Sequence, residues 1–265
     1  MIRKTLLIGA VAALGMVGSA AYAKTIDLGF IMDRSGSVGS DFPAAMDALG
    51  DALAAHIPVG GADTYRISVV SFASGASVVV GATTINTAGD LAGVVTTIKA
   101  QNANGSGATN YQAALDLLGA QFGTLGDLSM INMMTDGEPN IPTNAVSAAR
   151  TSATNLQNAG WDSLSFESVG NASGDALLAG LGFGPGNTPN DANLLPIISD
   201  VNLIGNPATD PFVLTLADFP AYNAAIGKKV QQIVNPDPVP VPASLPLLVG
   251  GLGMIAFIRR RRKAA

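Results

Sequence analysis

The stretch Ile26-Asp27-Leu28-Gly29-Phe30-Ile31-Met32-Asp33-Arg34-Ser35-Gly36-Ser37 decides the fold of this chain. Its first seven residues form a largely apolar run, which predicts a buried β-strand. Asp33, Ser35 and Ser37 follow at alternate positions just past the strand end, so they offer three oxygen atoms to one region of space. Hard oxygen ligands suit Mg²⁺ or Mn²⁺ rather than a soft metal. Three ligands are too few for an octahedral shell, and other loops must add to them.

Strand and helix patterns alternate from residue 24 to residue 234. This alternation predicts an α/β fold with a doubly wound, mostly parallel central sheet flanked by helices. Strands are predicted at 26–32, 65–72, 77–80, 128–134, 163–169 and 212–216, and helices at 41–55, 87–99, 110–122, 143–159, 175–181 and 219–234. Residues 182–193 are rich in Gly, Pro and Asn and are predicted to form a loop.

Ligands of a doubly wound sheet bind beyond the carboxyl ends of its strands. Two further loops fit that position and carry oxygen ligands. Thr109 lies in Gly107-Ala108-Thr109-Asn110-Tyr111, just before a predicted helix, and Asp136 lies in Thr135-Asp136-Gly137, just after a predicted strand. We therefore expect one metal site built from three loops. The alternative to a metal-binding role is a local structural one for each residue: Asp33 and Asp136 would be turn residues, and Thr109 would be a helix N-cap.

These three elements, in this order, resemble the metal-ion-dependent adhesion site of the von Willebrand factor type A domain family. The resemblance covers residues 24–234. It implies that Ser35 and Ser37 bind the cation directly, that Thr109 binds directly or through water, and that Asp33 and Asp136 act through water. It further implies Mg²⁺, with Mn²⁺ or Ca²⁺ as alternatives. A Glu or Asp of a protein partner would complete the coordination shell.

The N-terminal segment, residues 1–23, has the composition of a secretory signal peptide. A basic start at Arg3 and Lys4 precedes an apolar run, and Ala21 and Ala23 form a small-x-small cleavage site. An uncleaved membrane anchor is the alternative. Export through the inner membrane is the expectation that follows.

The C-terminal end carries a second targeting pattern. A Pro-rich linker at 235–242 leads into an apolar run at 243–258 and a basic cluster at 259–263, which together predict a transmembrane helix with a cytoplasmic tail. The segment 243–265 with Val239, Pro240, Pro242 and Ala243 resembles a PEP-CTERM sorting signal of the V-P-x-P-A type. That resemblance implies a Gram-negative bacterium, processing by an exosortase, and a final place at the cell surface or outside the cell. An ordinary inner-membrane anchor is the alternative.

Charge excludes one class of partner. Outside the two predicted targeting segments, seven basic residues face 19 acidic residues, giving a net charge of −12. Nucleic acid requires a basic face, so no nucleic-acid partner is expected. The chain also has no Cys, which excludes disulfides and zinc–thiolate sites.

The sequence favours a binding module over an enzyme. A phosphohydrolase of the haloacid dehalogenase type would need a second Asp where Ser35 stands, and the single His, His56, has no G-x-S-x-G nucleophile motif beside it. We expect a surface or matrix protein that engages a partner's carboxylate through the cation. A structural matrix protein, in which the metal only fastens the loops, is the alternative.

Overall fold

The computed structural model describes residues 23–190, 192 and 194–234. The predicted linker, sorting signal and transmembrane segment lie outside the described residues, as does the signal peptide apart from Ala23, which is exposed. Within the described part of the chain, no helix has the length and hydrophobicity needed to cross a membrane.

The described chain alternates strands and helices, as predicted. The strands are β1 (Thr25–Asp33), β2 (Thr64–Phe72), β3 (Ala76–Ile85), β4 (Leu128–Thr135), β5 (Ser163–Val169), β6 (Ile197–Ile198) and β7 (Val213–Leu216). The helices are α1 (Phe42–His56), α2 (Ala88–Lys99), α3 (Tyr111–Gly119), α4 (Ala145–Asn158), α5 (Asp175–Leu181) and α6 (Phe219–Val234).

The strands form one sheet in the order β3-β2-β1-β4-β5-β7-β6. Every neighbouring pair is parallel except β2 and β3, which form an antiparallel hairpin. This confirms the predicted α/β fold with a mostly parallel sheet. The strand β1 lies between β2 and β4, and Met32 at its end pairs with Met134. The carboxyl ends of these two strands therefore lie side by side.

A layer of helices covers each face of the sheet. The side chains of β1 alternate between the two faces, so this strand contributes to the core beneath each layer. Leu28, Phe30 and Met32 belong to the core beneath α1, α2 and α6, whereas Ile31 belongs to the core beneath α3, α4 and α5. Gly29 lets α3 approach the sheet, since a Cβ at this position would lie 2.6 Å from Cδ2 of Leu118.

Two elements differ from their predicted bounds by three or more residues at one end, and one strand was not predicted. The strand β3 is longer than predicted, because pairing with β2 extends it to Ile85. The helix α3 begins at Tyr111 and ends at Gly119, so it is shorter than predicted at both ends. The two-residue strand β6 was not predicted, since Ile197 and Ile198 are too few to give a periodic pattern.

Thr87 caps the N-terminus of α2 in the form of a capping box. The backbone N–H of Asp90 donates to Oγ1 of Thr87 at 3.2 Å, and the backbone N–H of Thr87 donates to Oδ2 of Asp90 at 2.8 Å. Two N–H groups that the helix cannot satisfy itself are thereby paired.

We expect Thr87→Ala to lower the free energy of unfolding by about 1 kcal/mol, because the capping hydrogen bond is lost. The matched control is Thr97→Ala, inside the same helix, where the hydroxyl only donates to the carbonyl of Gly93. That change should be neutral or slightly stabilising, since Ala has the higher helix propensity. Equal effects of the two substitutions in denaturant unfolding would contradict the assigned role of the cap.

Candidate metal centre

The three predicted loops meet at the carboxyl edge of the sheet. The first follows β1, the second precedes α3, and the third follows β4. The Ser37 hydroxyl donates to Oδ1 of Asp136 at 2.7 Å, and the hydroxyl oxygens of Ser35 and Ser37 are 3.1 Å apart. The structure thus brings the first and third loops into direct side-chain contact.

Asp33 is the innermost residue of this cluster, with 0% of its surface exposed. Its Oδ1 accepts a hydrogen bond from the backbone N–H of Ser35 at 2.7 Å, and its Oδ2 accepts one from the Thr135 hydroxyl at 2.7 Å. Burial raises the pKa of Asp33 to about 6, the nearby charge of Asp136 acts in the same direction, and the hydrogen bonds oppose the rise. The ionised carboxylate is therefore short of compensating charge at neutral pH.

Thr109 is buried beside the third loop, and its backbone fixes its position. Its N–H donates to Oδ1 of Asn140 at 2.8 Å, and its carbonyl accepts from the backbone N–H of Asn140 at 3.0 Å. The N-cap of α3 is Asn110, whose Oδ1 accepts from the N–H of Ala113 at 3.0 Å. The Thr109 hydroxyl is therefore not used as the helix cap.

Glycines hold the second loop against the first. The N–H of Gly36 donates to the carbonyl of Gly107 at 3.0 Å, and the N–H of Gly105 donates to the carbonyl of Gly39 at 2.6 Å. A Cβ on Gly105 would lie 2.4 Å from the carbonyl oxygen of Ser35, which is closer than atoms can approach. Only glycine fits at this contact.

Three supporting residues were missed by the sequence reasoning. Thr135 binds Asp33, and the hydroxyl of the buried Tyr111 donates to the carbonyl of Gly137 and lies 3.0 Å from the Thr135 hydroxyl. Asn140 joins the second and third loops. All three lie within four residues of a predicted ligand, so their proximity in sequence is the signal that could have identified them.

The cluster fits a hard divalent cation. Its side chains offer only oxygen, and burial raises the pKa of the half-buried Asp136 as well as that of Asp33. In an Mg²⁺ octahedron with metal–oxygen distances of about 2.1 Å, adjacent ligand oxygens lie about 3 Å apart. The hydroxyl oxygens of Ser35 and Ser37, the two direct ligands that the resemblance implies, are 3.1 Å apart, which matches that spacing. Across the described residues, no group of three or more His, Cys, Asp or Glu side chains forms a candidate metal site, and the cluster described here has two carboxylates with hydroxyls as its other oxygen groups.

Comparison with known proteins agrees with this geometry. Residues 28–138 match the profile of the von Willebrand factor type A domain. No curated protein matches the sequence. Among solved structures, proximal thread matrix protein 1 from the mussel byssus superposes with a TM-score of 0.56 at 15% identity, over 80% of this chain and 46% of that chain. One structure of that protein is described as having a zinc-occupied metal-ion-dependent adhesion site motif.

Two bacterial structures have the same fold. The type V pili tip protein Mfa5 from Porphyromonas gingivalis gives a TM-score of 0.55 at 13% identity, over 83% of this chain and 99% of that chain. The pilus adhesin SpaC from Lactobacillus rhamnosus GG gives 0.55 at 12% identity, over 80% of this chain and 31% of that chain. This chain spans less than half the length of the mussel and Lactobacillus proteins that it matches.

The profile match over residues 28–138 and the solved structures with the same fold define the class: the chain has an α/β fold of the von Willebrand factor type A kind. Domains of this class bind divalent cations at the metal-ion-dependent adhesion site.

We expect Gly105→Ala to weaken Mg²⁺ binding, because the added Cβ must displace the second loop from Ser35. Gly61→Ala is the matched control, since a Cβ there meets no atom within 4 Å. Titration calorimetry should show an affinity loss of at least tenfold for the first variant and none for the second. Equal Mg²⁺ affinities would mean that the contact of Gly105 does not position the site.

The pKa of Asp33 predicts how the chelated domain responds to pH. Because the folded-state pKa of about 6 exceeds the ordinary aspartate pKa of 3.8, the folded state binds this proton more tightly than the unfolded chain does. The free energy of unfolding should therefore rise as the pH falls from about 7 to about 4, with a contribution of about 3 kcal/mol from Asp33. Asp33→Asn should lack this contribution.

The measurement is denaturant unfolding of the wild type and of Asp33→Asn in chelator, as a function of pH. The difference between the two curves isolates Asp33 from the other carboxylates. A difference that stays constant across this range would contradict the assignment.

Proposed function

We propose that this protein is an exported binding module that engages a partner protein's Glu or Asp through a divalent cation, Mg²⁺ in the first instance. The observation that carries the proposal is a gradient of exposure across the site. Asp33 is fully buried, Asp136 is half-buried, and Ser37 is exposed. Such a site holds a cation from below and leaves its outer side open to a second molecule.

Ser35 and Ser37 would hold the cation directly through their hydroxyl oxygens, Thr109 would bind it directly or through water, and Asp33 and Asp136 would act through water. A bound Mg²⁺ supplies an electrophilic centre with a strong preference for anionic oxygen. Asp33 orients the backbone of Ser35, and Thr135 fixes the second carboxylate oxygen of Asp33. The buried carboxylate of Asp33 therefore positions the loop that carries the direct ligands.

The proposed location combines the targeting patterns with the names of similar structures. A signal peptide cleaved after Ala23 would export the chain through the inner membrane. An exosortase acting at Val239, Pro240, Pro242 and Ala243 would then release it to the cell surface or the extracellular matrix. Without that processing, the segment 243–265 would keep it anchored in the inner membrane. The pilus and matrix proteins with this fold support a surface role.

We infer that the domain has no enzymatic turnover of an external substrate and no nucleic-acid partner. The site offers two carboxylates and three hydroxyls, and its acidic surroundings repel phosphates. The negative charge of the site would also repel an acidic side chain of a partner, so such a side chain can bind only when the cation is present. Metal dependence is thus the distinguishing property of this function.

The function can be tested by pull-down from the envelope and matrix fraction of the producing cells, with the full chain as bait. The three conditions are wild type in Mg²⁺, wild type in chelator, and Asp33→Ala in Mg²⁺. We expect a partner to be retained only in the first condition, because chelator removes the cation and Asp33→Ala removes the buried carboxylate of its site. Asp116→Ala, an exposed carboxylate on α3, is the control and should retain the partner.

Two other outcomes are informative. Equal retention under all conditions would contradict cation-mediated binding. A chelator-induced fall in melting temperature with no retained partner would favour the structural matrix protein, in which the metal only fastens the three loops.

A further inference from the structure

A second polar cluster lies in the core on the α6 face of the sheet, away from the metal site. Asn132 on β4, Glu167 on β5 and Lys229 on α6 are 4%, 0% and 1% exposed. The Asn132 and Lys229 side chains line one small cavity together with apolar residues that include Leu28, Met130 and Ile233. A primary amine, a carboxamide and a carboxylate thus meet in an apolar setting.

The carboxylate of Glu167 bridges the other two groups. Its Oε1 accepts from Nζ of Lys229, and its Oε2 accepts from Nδ2 of Asn132 at 2.6 Å. The ring of Phe212 lies 4.7 Å from the Lys229 nitrogen. One acid–base group therefore contacts both a nucleophilic nitrogen and the nitrogen of a carboxamide.

The surroundings favour the reactive form of the amine. Burial lowers the pKa of Lys229 and raises the pKa of Glu167, while the attraction between the two opposes both shifts. Proton transfer from Lys229 to Glu167 gives a neutral pair, which an apolar interior accepts more readily than two ions. A neutral lysine amine is a nucleophile.

The Asn132 carboxamide has an unusual environment as well. Its Oδ1 is buried and, among the described residues, accepts no hydrogen bond. The group is therefore held by its nitrogen alone, at Glu167. Buried polar atoms without a partner are uncommon in folded proteins and point to strain or to chemistry.

We propose that Lys229 and Asn132 join in an intramolecular amide bond, with Glu167 as the proton-transfer group. The Lys229 nitrogen attacks Cγ of Asn132, a C–N bond forms, and the bond from Cγ to Nδ2 breaks. Glu167 takes a proton from the attacking nitrogen and delivers a proton to Nδ2, which leaves as ammonia. The five protons on the two nitrogens at the start end as one on the new amide, three on ammonia and one on Glu167.

The reaction needs no oxidant, cofactor or metal, so it is independent of the cation site and of the proposed partner. Its product would fasten α6 to β4 covalently. The unreacted alternative is a buried ion pair in which the same three side chains serve only packing and hydrogen bonding.

The test is the mass of the full chain after folding, followed by protease digestion under denaturing conditions. We expect the wild type to be lighter than its sequence by one ammonia molecule, and the peptide containing Asn132 to be linked to the peptide containing Lys229. A mass without this loss, or two separate peptides, would overturn the proposal without the use of any variant.

Variants locate the chemistry. Lys229→Met and Glu167→Gln should keep the full mass, whereas Lys228→Met, the neighbouring lysine on α6, should still lose ammonia. Asn104 precedes Gly105 and can lose ammonia by cyclising on its own backbone, so the linked peptide is the decisive readout. Ammonia loss that persists in Lys229→Met and maps to Asn104 would contradict the cross-link.

Discussion

The burial of negative charge is the constraint on which both polar clusters of this domain depend. Asp33 and Glu167 each have no exposed surface, and an ionised carboxylate taken out of water is costly unless charge or hydrogen bonds compensate it. For Glu167 the compensation is internal, because Lys229 on α6 contacts the carboxylate and can give it a proton. The hydrogen bonds that reach Asp33 come from neutral groups, and the charge that acts on it is that of another carboxylate, Asp136. A cation from outside the chain would supply the missing positive charge.

The sheet explains why the uncompensated carboxylate lies where a cation can reach it. The strand β1 is central, with β2 and β4 on either side, so the loop after Asp33 is enclosed by neighbouring strand ends. Parallel strands place their carboxyl ends at one edge, which brings Asp136 after β4 to the same edge. The glycine contact at Gly105 then closes the third side. Fold and site are thus one arrangement, because moving either strand end would separate the ligands.

The sequence predicted these elements where the pattern was local and failed where partners were remote. The alternation of strands and helices and the spacing of Asp33, Ser35 and Ser37 were readable directly. Asn110, rather than Thr109, is the N-cap of α3, and the backbone N–H of Thr109 donates to Asn140 in another loop. A contact between two loops cannot be predicted from sequence periodicity. Position on the face of α6 could have indicated that Lys229 is buried, since it shares a stripe with Ile226 and Ile233. Its partner Glu167 on a separate strand gave no such local signal.

In the proposed function, the structural and the adhesive roles of the cation would follow from the same chemistry. A cation that neutralises Asp33 stabilises the folded domain, because the unfolded chain has no comparable site. In the proposed site such a cation would retain a preference for anions, since its direct ligands Ser35 and Ser37 are neutral hydroxyls. Fastening of the loops is therefore the condition for recognition rather than a competing function. Whether the cation also binds a partner depends on the outer side of the site. Ser37 and Glu138 are exposed there, and a partner must displace solvent to bind.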